Sequence, residues 1–308
     1  MSRLAVLSDA QWRRIEPLMP SSQGQRGRPF RDHRQVVEGI IYRLRTGLAW
    51  RDLPAAFGPH QTVSKRHRRF SADGTWDKIH ARLVADADAA GDLDWTVSVD
   101  STINRAHQHA TNMTRSERPA ACTSRATQGV ESSYMNRAAA PGSEPLDHAI
   151  GRSRGGLSTK VHQLVDGKKR PLVVAVTGGQ AGDSPMLKWL LADLAVARPE
   201  RGRPRTRPDD LLGDKAYSSR ANRTLLRSKR VRAVIPQRAD EIGHRQRRGS
   251  AGGRPPSFDP LTYKRRNVVE RSFNDHKHWR GIATRYDKLA YVYRGSVVLR
   301  AITIWLRE

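Results

Sequence analysis

From residue 95 onward the chain alternates short β-rich runs with amphipathic stretches, and this alternation restricts it to a mixed α/β architecture. The run Trp95-Thr96-Val97-Ser98-Val99-Asp100 is rich in β-formers and stops on a carboxylate. The patterning predicts strands at 95–103, 157–165 and 170–177, the last two joined as a hairpin through Asp166-Gly167-Lys168-Lys169. It then predicts a helix at 183–196, a strand at 211–214, a helix at 218–229 and a strand at 231–236. A basic, Gly-rich loop over 238–256, a helix over 261–279 and a final amphipathic helix over 289–306 complete the order. Residues 108–147 carry Ala, Ser, Thr, Arg and Pro without a sustained apolar period and read as a disordered insertion.

Residues 1–90 read as all-helical, and the expected division is a helical domain at 1–90 and an α/β domain at 91–308. Ser8 is a candidate N-cap with Gln11 at the capping-box position. Arg31 to Thr46 places Val36, Val37, Ile40, Ile41 and Leu44 at helical spacing, and Gly47 stops that helix. A short helix from Arg51 to Phe57 and a third from Thr62 to Phe70 follow, the third carrying Lys65, Arg66, Arg68 and Arg69. Helix, short helix, basic helix is the layout of a helix-turn-helix module that binds DNA. A plain helical bundle with a solvated basic face has the same pattern.

Three carboxylates stand where chemistry is usually placed. Asp100 ends the β-rich run from Trp95, and Asp214 ends Asp209-Asp210-Leu211-Leu212-Gly213-Asp214, each an acidic residue where an apolar run stops; strand ends carry the sites of α/β folds. Glu270 lies on the helix from Tyr263 to Lys277. At about 100° per residue, Tyr263, Arg266, Glu270 and Lys277 fall within a stripe roughly 60° wide. Val268, Val269 and Trp279 point largely away from that stripe, towards a core. Facing one another, the three carboxylates could hold two divalent cations about 3.5–4 Å apart, and carboxylate oxygen is what Mg²⁺ prefers. Each also has an ordinary alternative: Asp100 capping a turn, Asp214 pairing with Lys215, Glu270 pairing with Arg266 at i, i+4. His107 and His109 lack a third ligand spaced for a tetrahedral metal site. The Gly151 to Gly156 run is too weak a signal to assign phosphate binding. Asp275 and His276 stand in the glutamate helix where apolar residues would dock it better, so weaker docking is expected.

The chain resembles bacterial insertion-sequence transposases of the DDE class. Asp100, Asp214 and Glu270 look like the acidic triad, and Tyr263, Arg266, Glu270 and Lys277 have the Y-(2)-R-(3)-E-(6)-K spacing of one branch. Gly151 to Lys160, Gly213 to Ser219, and Arg285-Tyr286-Asp287-Lys288 also match, as do Trp50-Arg51-Asp52-Leu53-Pro54 and Phe57-Gly58 near the start. One departure is His60, where an aromatic ring is common. The resemblance implies a ribonuclease-H-like catalytic domain behind a small helix-turn-helix-like domain. It implies an enzyme using two Mg²⁺ (or Mn²⁺) ions held by Asp100, Asp214 and Glu270, with Tyr263, Arg266 and Lys277 on DNA. It further implies double-stranded DNA partners, both element ends and target, and a homo-oligomer assembled on them. Two rivals are a related nuclease without strand transfer and a non-catalytic, domesticated DNA-binding protein.

Composition agrees. The 308 residues include 56 Lys+Arg against 30 Asp+Glu, a formal charge of +26 and a pI near 11.3. Such an excess favours a polyanion through counter-ion release. No apolar run approaches the ~20 residues needed to span a bilayer, and the N-terminus has no long apolar segment of a signal peptide. The lone Cys122 cannot form an internal disulfide, which fits a reducing cytoplasm; the expected location is cytoplasmic, and the DNA partners implied by the resemblance make it nucleoid-associated.

Overall fold

The computed structural model describes residues 6–21, 29–113, 144–199 and 202–307. Four helices come first: α1 (Asp9–Ile15), α2 (His33–Thr46), α3 (His60–Ala72) and α4 (Thr75–Ala89). Ser8 caps α1 in a capping box with Gln11, and Asp32 caps α2, which ends at Gly47 in the left-handed conformation. The expected short helix at 51–57 is instead two 3-10 turns, Trp50–Asp52 and Ala55–Phe57. Pro54 separates them, and it cannot donate to a continuing helix.

The α/β part follows. Its elements are β1 (Thr96–Ala106), β2 (Gly151–Ser153), β3 (Gly156–Val165), β4 (Pro171–Gly178), α5 (Asp183–Asp193), β5 (Asp210–Leu212), α6 (Arg220–Ser228) and β6 (Arg232–Val234). Then come α7 (Ala239–Arg247), α8 (Asn267–Lys277), β7 (Thr284–Arg285) and α9 (Ala290–Trp305). The sheet runs β4-β3-β1-β5-β6. β3 is antiparallel to β1 and to β4, whereas β5 is parallel to β1 and β6 parallel to β5. It is therefore a mixed sheet, as the order of strand and helix patterns requires.

Three expectations need correction. Residues 238–256 are not simply loop, because 239–247 form α7. None of its residues is buried, so it has no apolar period to detect. Glu241 supports it by receiving the Ser218 hydroxyl at 2.7 Å. The glutamate helix is also not one continuous α-helix: a turn at Pro260–Tyr263 and a 3-10 turn at Lys264–Arg266 precede α8. The described ends of the 108–147 stretch are ordered, against the expectation of a disordered insertion. Gln108–Thr111 form a helical turn capped by His107, Ile150 is buried just after the far end, and Glu144 accepts a hydrogen bond from the Ala290 backbone at the start of α9. Residues 114–143, with Cys122, lie outside the described residues.

The helices of the N-terminal part share one core with α9. Phe70, Trp76, Ile79 and Leu83 are buried in the same cluster as Val297, Val298 and Ile302. α3 and α9 approach closely at Gly295, where a Cβ would lie 2.1 Å from the Ser71 hydroxyl. Arg294 on α9 crosses to α4 and pairs with both oxygens of Asp77, at 2.7 and 3.0 Å. Among the described residues no helix is long and apolar enough to cross a membrane.

Candidate active site

The register of the sheet brings two aspartates level. The parallel ladder of β1 and β5 ends with Ser98 opposite Leu212, and Asp100 and Asp214 each lie two residues further on. Period-two alternation keeps Asp100 on the face of Ser98. Asp214 sits just past β5 as the cap of a 3-10 turn, its Oδ1 accepting the Ala216 N–H at 2.9 Å.

α8 docks on the Asp100 face. Gln163, opposite Asp100 in the antiparallel pair, receives the Ser272 hydroxyl and donates to the His276 ring. Val269 and Phe273 bury the apolar side of the helix. The expected weakness at Asp275 and His276 does not occur. His276 is 3% exposed, and its Nδ1–H donates to the Ser272 carbonyl at 2.9 Å. Burial holds its pKa at about 4, so the ring is neutral and fits the interior. Asp275 pairs with Lys169 at 3.0 Å.

This docking sets Glu270 beside Asp100 through one guanidinium. Arg266 donates from Nη2 to Asp100 Oδ2 at 2.6 Å and from Nη1 to Glu270 Oε1 at 2.9 Å. Asp100 and Arg266 are mostly buried, at 19% and 15% side-chain exposure, whereas Glu270 is 55% exposed. The sequence offered Arg266 and Glu270 as an i, i+4 pair; it did not show that Asp100 would share the guanidinium.

A fourth carboxylate, Asp183 at the start of α5, was not singled out from sequence. It accepts the Ser101 hydroxyl at 2.6 Å and the Lys160 ammonium at 3.0 Å, with His162 at 3.8 Å. Lys160 and His162 share a face of β3 through its period-two alternation. The sequence signal for Asp183 was slight: an acidic residue at a helix start, as common for capping as for chemistry. Tyr217, also missed, is fully buried, and its hydroxyl has no partner among the described residues.

Electrostatics tie these groups together. Burial pushes the Asp100 carboxyl above its ordinary value; Arg266 opposes that, and Asp214 and Asp183 add to it. Burial likewise raises the Tyr217 phenol, with Asp183, Asp100 and Asp214 contributing. The centre is therefore an acidic cluster short of positive charge. Its donors are the hard oxygens a divalent cation such as Mg²⁺ takes, so Asp100, Asp214 and Glu270 fit such an ion chemically. With Arg266 between two of them, no three acidic, His or Cys side chains among the described residues surround one cation-sized point.

The remaining expected contacts are spread out. Tyr263 lies one turn before Arg266, its ring 5.3 Å from that of Phe258. Lys277 is exposed at the end of α8 and has no bonded partner among the described residues. On α3, Lys65, Arg68 and Arg69 are exposed. Arg68 donates to the Tyr291 hydroxyl at 2.8 Å, and Arg69 approaches Asp73 at 3.7 Å. Arg66 turns inward. It is 8% exposed, lies 4.0 Å over the Phe30 ring, and contacts His33 at 3.2 Å. The Gly151–Gly156 run is the β2–β3 hairpin, with Gly156 at φ +99°. His107 and His109 stack at 4.7 Å near Tyr286.

Comparison with known proteins is consistent with this geometry. A family model described as a transposase DDE domain matches residues 92–305, and one described as a putative transposase of the IS4/5 family matches residues 7–80. The insertion element IS402 uncharacterized 16.2 kDa protein of Burkholderia cepacia is 39% identical over 108 residues, 33% of this chain and 74% of that protein. A putative transposase for insertion sequence element IS6501 of Brucella ovis is 30% identical over 151 residues, 49% of this chain and 100% of that protein. No solved structure matches significantly.

Proposed function

The chain belongs to the DDE transposase family, and from that premise we propose that it binds the terminal inverted repeats of its own insertion element, cleaves the DNA there and joins the end to a target. The observation that carries this reading is the convergence of Asp100 and Glu270, 170 residues apart in sequence, on the Arg266 guanidinium, with Asp214 close enough to act on the Asp100 carboxyl. The β4-β3-β1-β5-β6 order, three antiparallel strands and then two parallel to the central one, supports a ribonuclease-H-like fold.

In this reading Asp100, Asp214 and Glu270 hold divalent metal, Mg²⁺ or Mn²⁺. When bound, two such ions would activate an attacking oxygen and stabilise a leaving one. The chain's own residues do the rest. Arg266 grips a phosphate bidentately, and Lys277, about 10 Å beyond Glu270 along the helix stripe, takes a further phosphate as a point charge. Tyr263 stacks on or hydrogen-bonds the terminal nucleotide. Asp183 holds Ser101, and with it the middle of β1 that carries Asp100. Lys65, Arg68 and Arg69 on α3 contact DNA away from the cut. Arg66 supports α3 from inside, since its guanidinium is enclosed by aromatic rings. The excess of 26 positive charges supports tight, salt-sensitive binding and assembly of copies on DNA.

The test uses the inverted repeats found in DNA flanking the coding sequence. Purified protein with Mg²⁺ should cut at the repeat ends and join them to a second duplex. Cutting without joining would assign a nuclease. Binding with neither would assign a DNA-binding protein.

A further inference from the structure

We propose that Arg266 competes with the divalent cation for the carboxylates of the centre, so that metal is held tightly only once this side chain has swung away. The proposal rests on the reading of Asp100, Asp214 and Glu270 as metal-holding groups. A guanidinium that donates to a carboxylate oxygen occupies one of its lone pairs and sets a positive charge beside it, both of which weaken an ion's hold, and Arg266 engages Asp100 Oδ2 at 2.6 Å and Glu270 Oε1 at 2.9 Å at once. It thereby supplies the positive charge that the acidic cluster needs in the absence of metal. A guanidinium suits that place because its planar fork reaches two carboxylates, which an ammonium cannot do with the same geometry.

Two features favour release of this side chain. Its Nε is buried without a partner among the described residues, so the inward position leaves one donor unsatisfied. It also stands on the 3-10 turn Lys264–Arg266, between two α-helical segments, and such turns often mark hinges. Once displaced, the guanidinium shares the helix stripe with the exposed Lys277. A DNA phosphate can then take it over while the metal takes the carboxylates. Metal and DNA would therefore bind cooperatively, each removing Arg266 from the other's path.

The experiment measures Mn²⁺ binding to the full chain without DNA, by calorimetry and by the loss of the free-ion electron paramagnetic resonance signal. Arg266→Gln should tighten Mn²⁺ by about tenfold, the equivalent of one charge-assisted bond removed from the competition. Arg266→Lys should fall between that variant and the parent, because a point charge holds one carboxylate at a time. Far-UV circular dichroism checks folding, and Arg266→Lys, which keeps the charge, decides the question if Arg266→Gln does not fold. Unchanged or weaker Mn²⁺ binding in the folded variants overturns the competition. Asp100→Asn separates the two readings. If it abolishes Mn²⁺ binding while the Arg266 variants do not tighten it, competition fails and the metal centre stands. If it binds Mn²⁺ like the parent, the metal centre itself is wrong, and the competition falls with it.

Discussion

Replacing Asp77 by Ala tests whether the N-terminal helices and the catalytic part stand or fall together. Arg294 is 7% exposed, and its guanidinium makes two bonds to Asp77 and one to the Val174 carbonyl. Burial alone would lower its pKa, but Asp77 more than compensates and holds it up. Removing the carboxylate leaves a buried guanidinium without its counter-charge. Such a change costs about 3–5 kcal/mol. Asp77 keeps 26% of its side chain exposed, so water can partly replace it and the lower end, about 3 kcal/mol, is expected. At roughly 2–4 °C per kcal/mol, Tm should fall by roughly 6–12 °C. Urea unfolding followed by tryptophan fluorescence measures the loss, with Trp76, next to Asp77 in sequence, one of seven tryptophans that report it. The double variant Asp77→Ala/Arg294→Met should lose less than Asp77→Ala alone, because no unpaired charge remains. A loss below about 1 kcal/mol, or two separate transitions in the parent protein, would refute the idea that this pair clamps one shared core.

Other consequences can be checked in the same way. Burial holds His67, His162 and His276 at about 4 in the fold, against the usual 6.5. Below pH 6.5 the unfolded chain binds protons that the native state refuses, so stability should be level above pH 6.5 and fall as pH drops towards 4. His276→Gln should make that fall shallower, and an unchanged slope in acid denaturation would contradict the assignment. Arg285 is fully buried and donates to the carbonyls of Ala149, Asp287 and Lys288 and to the Thr159 hydroxyl; Arg285→Lys should cost about 3 kcal/mol because an ammonium cannot reach them all. Lys277→Ala should change stability by less than about 0.5 kcal/mol yet slow cleavage on the order of tenfold to a hundredfold, and wild-type cleavage would show that Lys277 does not touch the scissile strand.

Much of this arrangement was legible in the residues because it follows from period and position. The β-rich run before Asp100 and the apolar pair before Asp214 mark strands, and the two aspartates come level once the strands pair in parallel; Asp100 is inside β1 rather than at its end, because β1 continues to Ala106 against β3. The apolar spacing of Val36 to Leu44 and the Gly47 stop likewise define α2. What stayed hidden depends on tertiary contact. Asp183 looks like any acidic helix start until Ser101 and Lys160 meet it. Arg66 sits in a basic run whose other members face solvent, and only the Phe30 and Phe70 rings reveal its inward turn. α7 has no buried side to produce a period, and the 3-10 turn before α8 is a local tightening that helical spacing does not register.

The most direct measurement is metal-dependent cleavage by Asp100→Asn, Asp214→Asn and Glu270→Gln, run beside DNA binding on the same repeat-bearing duplex. These changes keep side-chain shape and remove only charge and ligating power. Each variant should bind the duplex at least as well as the parent and show no cleavage with Mg²⁺ or Mn²⁺. Cleavage at the parent rate by any one of the three would contradict the placement of the active centre at these carboxylates.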